Sequence, residues 1–131
     1  MESSLSKAAL ITGSLSSAIA VGLGAFGAHA LKERLSEKAL NAFEVGVRYQ
    51  FYHSLALIAL GLIALQFSQT DFKIPFWGFI FGILLFSGSL YGLSLGSLTS
   101  SGAPRWLGPI TPLGGLCFLI GWIALAWKLS Q

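Results

Sequence analysis

Acidic residues are scarce in this chain. It has five in 131 residues, none of them inside a long apolar run, and only 10% of its residues are charged. A soluble domain carries about 25%. With no acidic residue in the apolar runs, no H-E-x-x-H pair and no nucleophile elbow, hydrolytic catalysis is not expected and the chain reads as non-enzymatic. The single cysteine, Cys117, excludes an internal disulfide and a cysteine-cluster metal site. Lying inside an apolar run, it reads as a small buried hydrophobe. The formal charge of +3 is thinly spread, so no nucleic-acid partner is expected.

What the chain has instead is apolar length. It is 54% hydrophobic, with a mean hydropathy of +0.75. Four stretches are apolar on all faces, which excludes a soluble four-helix bundle. The expected fold is an all-α integral membrane protein of one domain, residues 1–131. Its four transmembrane helices span about 8–30, 49–67, 76–98 and 112–128, with an amphipathic connector over 31–48.

Residues 8–30 are uncharged and rich in Ala, Gly and Ser, and as a helix they make roughly 34 Å, enough to cross a ~30 Å hydrocarbon core. Ser16, Ala20, Gly24 and Ala28 recur every fourth residue, with Ala9, Gly13 and Ser17 on a neighbouring ridge. Such ridges admit a second backbone closely, which is how helices associate in lipid. A signal peptide has a shorter apolar region of ~7–15 residues, so 8–30 reads as a retained span despite the A-x-A pattern at Ala28–Ala30.

The connector holds Lys32, Glu33, Arg34, Glu37, Lys38, Glu44 and Arg48, with Leu31, Leu35, Ala39 and Phe43 on the other face and Ser36 as a helix cap; it reads as an amphipathic helix at the interface or as a cytosolic extension of the next span. The second span opens on Tyr49, Gln50, Tyr52 and His53 and includes Leu60, which is expected to matter little for packing. The third begins after Pro75 and carries Gly88, Gly92 and Gly96 at i, i+4 and i+8, with Gly78 and Gly82 as a second pair. This is a helix-packing pattern. The fourth is expected to start at Pro112 with Thr111 as its cap. That makes it short, so that either the bilayer is locally thinned or residues 108–111 enter the membrane as irregular backbone.

The segments GAFGAH (Gly24–His29), YQFYH (Tyr49–His53), FSGSLY (Phe86–Tyr91) and ITPLGG (Ile110–Gly115) occur in this order. In these the chain resembles the family of small four-span membrane proteins called domain of unknown function 423, the group of the YgdD and YwdK proteins and the transmembrane protein 256 homologues. The resemblance covers essentially the whole chain. It implies an inner-membrane four-helix protein of unassigned role, and it supplies no catalytic residues.

Four spans bring the polar groups of the loop ends after spans one and three to one side. His29, Gln50, His53, Tyr91 and Thr111 form the candidate polar cluster. Two readings stand: these groups satisfy backbone freed by the prolines, or they line a small polar vestibule. Three functions follow. The chain is a structural, assembly or interaction protein of the membrane, with a second copy or another membrane protein as partner. Alternatively it passes a small solute, ion or proton, or else His29 and His53 ligate haem or a metal. No cofactor, metal ligand set or catalytic residue is assigned.

The loops after spans one and three carry five basic residues (Lys32, Arg34, Lys38, Arg48, Arg105), and the opposite side three (Lys7, Lys73, Lys128). The positive-inside bias puts the five in the cytoplasm and both termini outside. A C-terminal reporter active only in the cytoplasm is expected to stay silent; a strong signal reverses the orientation.

Overall fold

A computed structural model describes residues 4–131. Helix α1 (Ser4–Phe26) runs on into a wider π-helical turn, Gly27–Leu31. A short loop leads to α2 (Glu37–Gln66). Helix α3 (Lys73–Gly82), a second π-helical turn (Ile83–Ser87) and α4 (Gly88–Gly96) make one continuous rod, and α5 is Leu107–Leu129. Four rods are thus long and apolar enough to cross a membrane: Ser4–Leu31, Glu37–Gln66, Lys73–Gly96 and Leu107–Leu129.

Two boundaries are corrected here. Of the two readings of 31–48, the extension of the second span holds from Glu37 onward, and the connector is not a separate helix. Ser36 caps α2 by accepting from the Ala39 backbone N–H at 3.1 Å, and no breaker follows before Gln66. The buried face begun by Phe43 and Gly46 continues in register through Gln50, His53, Leu57, Leu60 and Ala64. Thirty residues make roughly 45 Å, so about three turns, with exposed Glu37, Lys38, Glu44 and Arg48, lie beyond a ~30 Å core or at its edge. The fourth span is likewise longer than expected. It begins at Leu107, not Pro112, and neither a thinned bilayer nor a re-entrant backbone is needed. Pro109 falls in the first turn, where an N–H has no intrahelical partner in any case, and Pro112 forfeits only the bond to the carbonyl of Gly108. The resulting 23 residues reach roughly 34 Å.

The rods lie side by side in chain order. Helix α1 packs almost entirely on α2; α2 packs on the second π turn and α4; and α5 packs on α3 and that turn. Among the described residues α1 has no extensive contact with the α3–α4 rod or α5, so the bundle is not closed between its first and last rods. One core joins Ala9, Leu57, Leu60, Phe72, Phe79 and Phe118, and a second sits under the loop after α1, built on Leu31, Leu35 and Phe43. Leu60, expected to matter little, is fully buried.

Close helix approach falls on Gly13 and Gly78, from the secondary ridges, and on Gly114 and Gly121, more than on the main i+4 repeats. A Cβ on Gly13 would lie 2.7 Å from the Ser54 carbonyl oxygen and 2.8 Å from Ile58, so α1 and α2 touch backbone to backbone there. Gly78 faces Gly121, and Gly114 abuts the backbone of Phe86, joining α3 and its π turn to α5. Gly24 makes an ordinary contact, Ala28 is exposed and Gly88 faces open space, while Gly92 and Gly96 meet Leu107 and Ala103 near the loop. The i+4 ridge on α1 drifts because four residues overshoot a 3.6-residue turn. The buried positions Ser6, Ala9, Gly13, Ala20, Gly27 and Leu31 keep a spacing near 3.5, as knobs-into-holes packing requires.

Gly13→Leu is expected to lower the thermal midpoint through an overpacking cost of about 1–3 kcal/mol. Gly22→Leu, where a Cβ meets nothing within 4 Å, should not. Equal midpoints for the two variants would remove the close-contact argument.

Candidate functional site

Gln50 and His53 are three residues apart on α2, about 60° apart around its axis, and they serve different neighbours. Gln50 points toward α1 and α4. Its Nε2 donates to the Ser16 carbonyl at 3.0 Å and to the Ser16 hydroxyl at 3.3 Å, and Tyr91 donates its hydroxyl to Oε1 at 2.6 Å. The Ser54 hydroxyl lies 2.6 Å from both the Ser16 hydroxyl and the Gln50 carbonyl oxygen. One side-chain amide therefore joins three rods. Tyr91 is held over Phe43, with ring centroids 5.2 Å apart.

His53 points toward α5. Trp122 donates its indole N–H to Nε2 at 3.0 Å, and Nδ1 is 2.8 Å from the Tyr49 carbonyl oxygen. An indole nitrogen only donates, so Nε2 must accept, and the proton sits on Nδ1, which donates to Tyr49. The imidazole is neutral, with both nitrogens taken. It stacks on Phe118 at 3.5 Å between centroids and 12° between planes, with Phe79 and Trp122 around it. No ring nitrogen remains for an iron or another metal.

Two further polar contacts join rods. Ser87, on the second π turn, donates to the Gly46 carbonyl at 2.6 Å, and Ser89 and Thr111 pair at 2.6 Å between α4 and α5. Among the described residues no buried side-chain nitrogen or oxygen lacks a hydrogen-bond partner. The five candidate residues thus do not form one cluster. Gln50 and Tyr91 bond each other, Thr111 pairs with Ser89, His53 sits in an aromatic pocket, and His29 is exposed on the first π turn.

Sequence reasoning missed three partners. Ser54 was signalled by its place one turn after Gln50. Trp122 lies mid-helix, away from the interface levels, where an indole N–H needs an acceptor. The third, Ser87, carried no signal, since only the π turn aims it at α2. The spacing Gly92-Leu93-Ser94-Leu95-Gly96 also matches G-x-S-x-G by letter. It is no nucleophile elbow, for Ser94 is buried within a helix and bonds back to Leu90 O at 2.8 Å and Tyr91 O at 3.2 Å.

One cavity of about 490 Å³ opens between α1 and the α3–α4 rod, with α2 beneath it. Leu15, Ile19, Ile83 and Leu84 are among its walls, and Gln50 and Tyr91 contribute polar groups.

Comparison with known proteins bears on these same segments. The family described as "Protein of unknown function (DUF423)" matches residues 23–115, from the end of α1 to the first turns of α5. The chain belongs to this family. It is similar to a UPF0382 membrane protein of Staphylococcus epidermidis, 44% identical over 121 residues that cover 91% of this chain and 92% of the relative. It is also similar to the UPF0382 membrane protein YwdK of Bacillus subtilis, 41% identical over 91% of this chain and 93% of that one. A third relative, from Haemophilus influenzae, is 43% identical over 86% of each. No solved structure matches the chain. It is therefore a small multi-pass DUF423 membrane protein in a lipid bilayer, and the family description names no reaction. The matched stretch holds Gln50, His53, Tyr91 and Thr111, while Ser16 and Trp122 lie outside it.

His53→Leu strands the Trp122 N–H, a loss of about 1–3 kcal/mol, and is expected to melt lower than His53→Gln, which keeps an acceptor and a donor. Protein from haem-supplied cells should show no Soret band. A Soret band lost in both variants, with stability unchanged, would overturn this account.

Proposed function

We propose that this DUF423 protein is a structural or assembly component of the cell (inner) membrane, not an enzyme, acting through helix contacts with a second copy or another membrane protein. The observation that carries the reading is that the polar groups facing other rods bond across to them, while Thr12, Ser14, Ser17 and Ser94 bond back to their own helices. The Tyr91–Gln50–Ser16 chain, the Trp122–His53 bond and the Ser89–Thr111 pair leave few groups to line a path or hold a ligand. Helix α1 packs almost entirely on α2 and turns Ser14, Ala18 and Gly22 outward, a face open to a partner helix. Helical spans fit an inner membrane, since outer-membrane spans are β-barrels. The permeation reading has less support, because the large cavity is apolar-walled and lies between rods at the side of the bundle.

In a Cys117→Ser background, a cysteine at Ala18 should give cross-linked dimer, or cross-linked partner, in membranes, and one at Leu119 on α5 should not. Reconstituted protein should pass no protons or ions above lipid-only vesicles. Reproducible flux without cross-linking would replace this reading with permeation.

A further inference from the structure

The groove between α1 and the α3–α4 rod has no use in the reading above. It runs from Thr12 to Leu23 along α1 and from Ile80 to Tyr91 on the facing rod. Gly114 abuts Phe86 and Gly121 abuts Phe79, so that rod runs antiparallel to α5. The exposed Trp106, which precedes α5, and Trp127, in its last turn, are separated by 21 residues, roughly 32 Å, the separation of two interfacial belts. By the same register residues 80–91 fall between those belts. The groove therefore opens into hydrocarbon.

Water is a poor occupant, because the amide and hydroxyl groups beneath the groove already bond one another and its walls are apolar. The groove of about 490 Å³ follows the stretch from Thr12 to Leu23, roughly 17 Å of helix. A single extended hydrocarbon chain fits. Gly88 adds an independent sign: it lines the groove, and a Cβ there would meet nothing within 4 Å, so packing inside the chain does not explain the missing side chain.

The end of the groove near Leu23 and Tyr91 indicates the headgroup. Both residues pack against the cluster of Leu31, Leu35 and Phe43, and Leu31 and Leu35 bracket a loop with Lys32 and Arg34 exposed. With Glu33 between them, the loop has a net positive charge, and so does its side of the membrane, where five basic residues oppose Glu33, Glu37 and Glu44. Cations at that level favour anionic headgroups.

We propose that the groove holds one acyl chain of an anionic phospholipid, with its phosphate at Lys32 and Arg34. The test is native mass spectrometry of the full chain released from nanodiscs of mixed phosphatidylglycerol and phosphatidylcholine. Wild-type protein should retain one phosphatidylglycerol per chain. Gly88→Leu fills the groove and should cut retention about tenfold with an unchanged thermal midpoint; Ile19→Trp, on the opposite wall, makes the same test should Gly88→Leu not fold. Lys32→Gln with Arg34→Gln should abolish the preference for phosphatidylglycerol and leave one phosphatidylcholine bound. Equal retention of the two lipids by wild type, or undiminished retention in both groove-filling variants, overturns the proposal. So does a wild-type dimer that Gly88→Leu converts to monomer, since a second copy would then be the occupant. The lipid count is read on a single chain, so it stands or falls apart from assembly with a partner.

Discussion

In hydrocarbon a polar side chain has no water to fall back on, and Gln50 shows how this protein meets that constraint. Its amide oxygen accepts a hydrogen bond from Tyr91 on α4 and its amide nitrogen donates one to Ser16 on α1, from a position buried on α2. Three rods are thereby fixed in rotation and depth by one side chain. The chemistry is that of a buried hydrogen-bond network, costly to leave half made and specific when complete. Bonds between transmembrane helices are individually modest, so their value here lies as much in setting register as in strength.

A second constraint is backbone proximity. Without a hydrophobic force between apolar rods, contact must come from close packing, and the glycines at 13, 78, 114 and 121 provide it. The second π turn belongs to this arrangement. It sets the Phe86 backbone against Gly114 and aims Ser87 at the carbonyl of Gly46, so one widened turn serves α5 and α2 together. Such insertions are a recognised way of re-aiming residues within a helix.

Much of this was legible in the sequence. The four spans follow from apolar length alone, Ser36 is the cap it was expected to be, and Pro75 sits in a first turn. Other features were hidden for physical reasons. Prolines at 109 and 112 look like a break, yet one lies where no hydrogen bond is due and the other removes only one. The charges of residues 37–48 suggest a separate surface helix, but the buried face beneath them is continuous with the span. Gln50 and His53 looked like neighbours in one polar cluster. Three residues of helical rotation turn them to different partners, and only the tertiary arrangement shows that His53 meets Trp122, 69 positions away.

The side-by-side order of the rods has a consequence for synthesis. Each rod's principal neighbour is one made just before or just after it: α1 with α2, α2 with the α3–α4 rod, and that rod with α5. A chain leaving the ribosome N-terminus first can dock each span onto one already in place. Assembly then needs no late closure between the first span and the last, and interactions stay local in sequence, the condition under which folding is fast and exposed intermediates are brief.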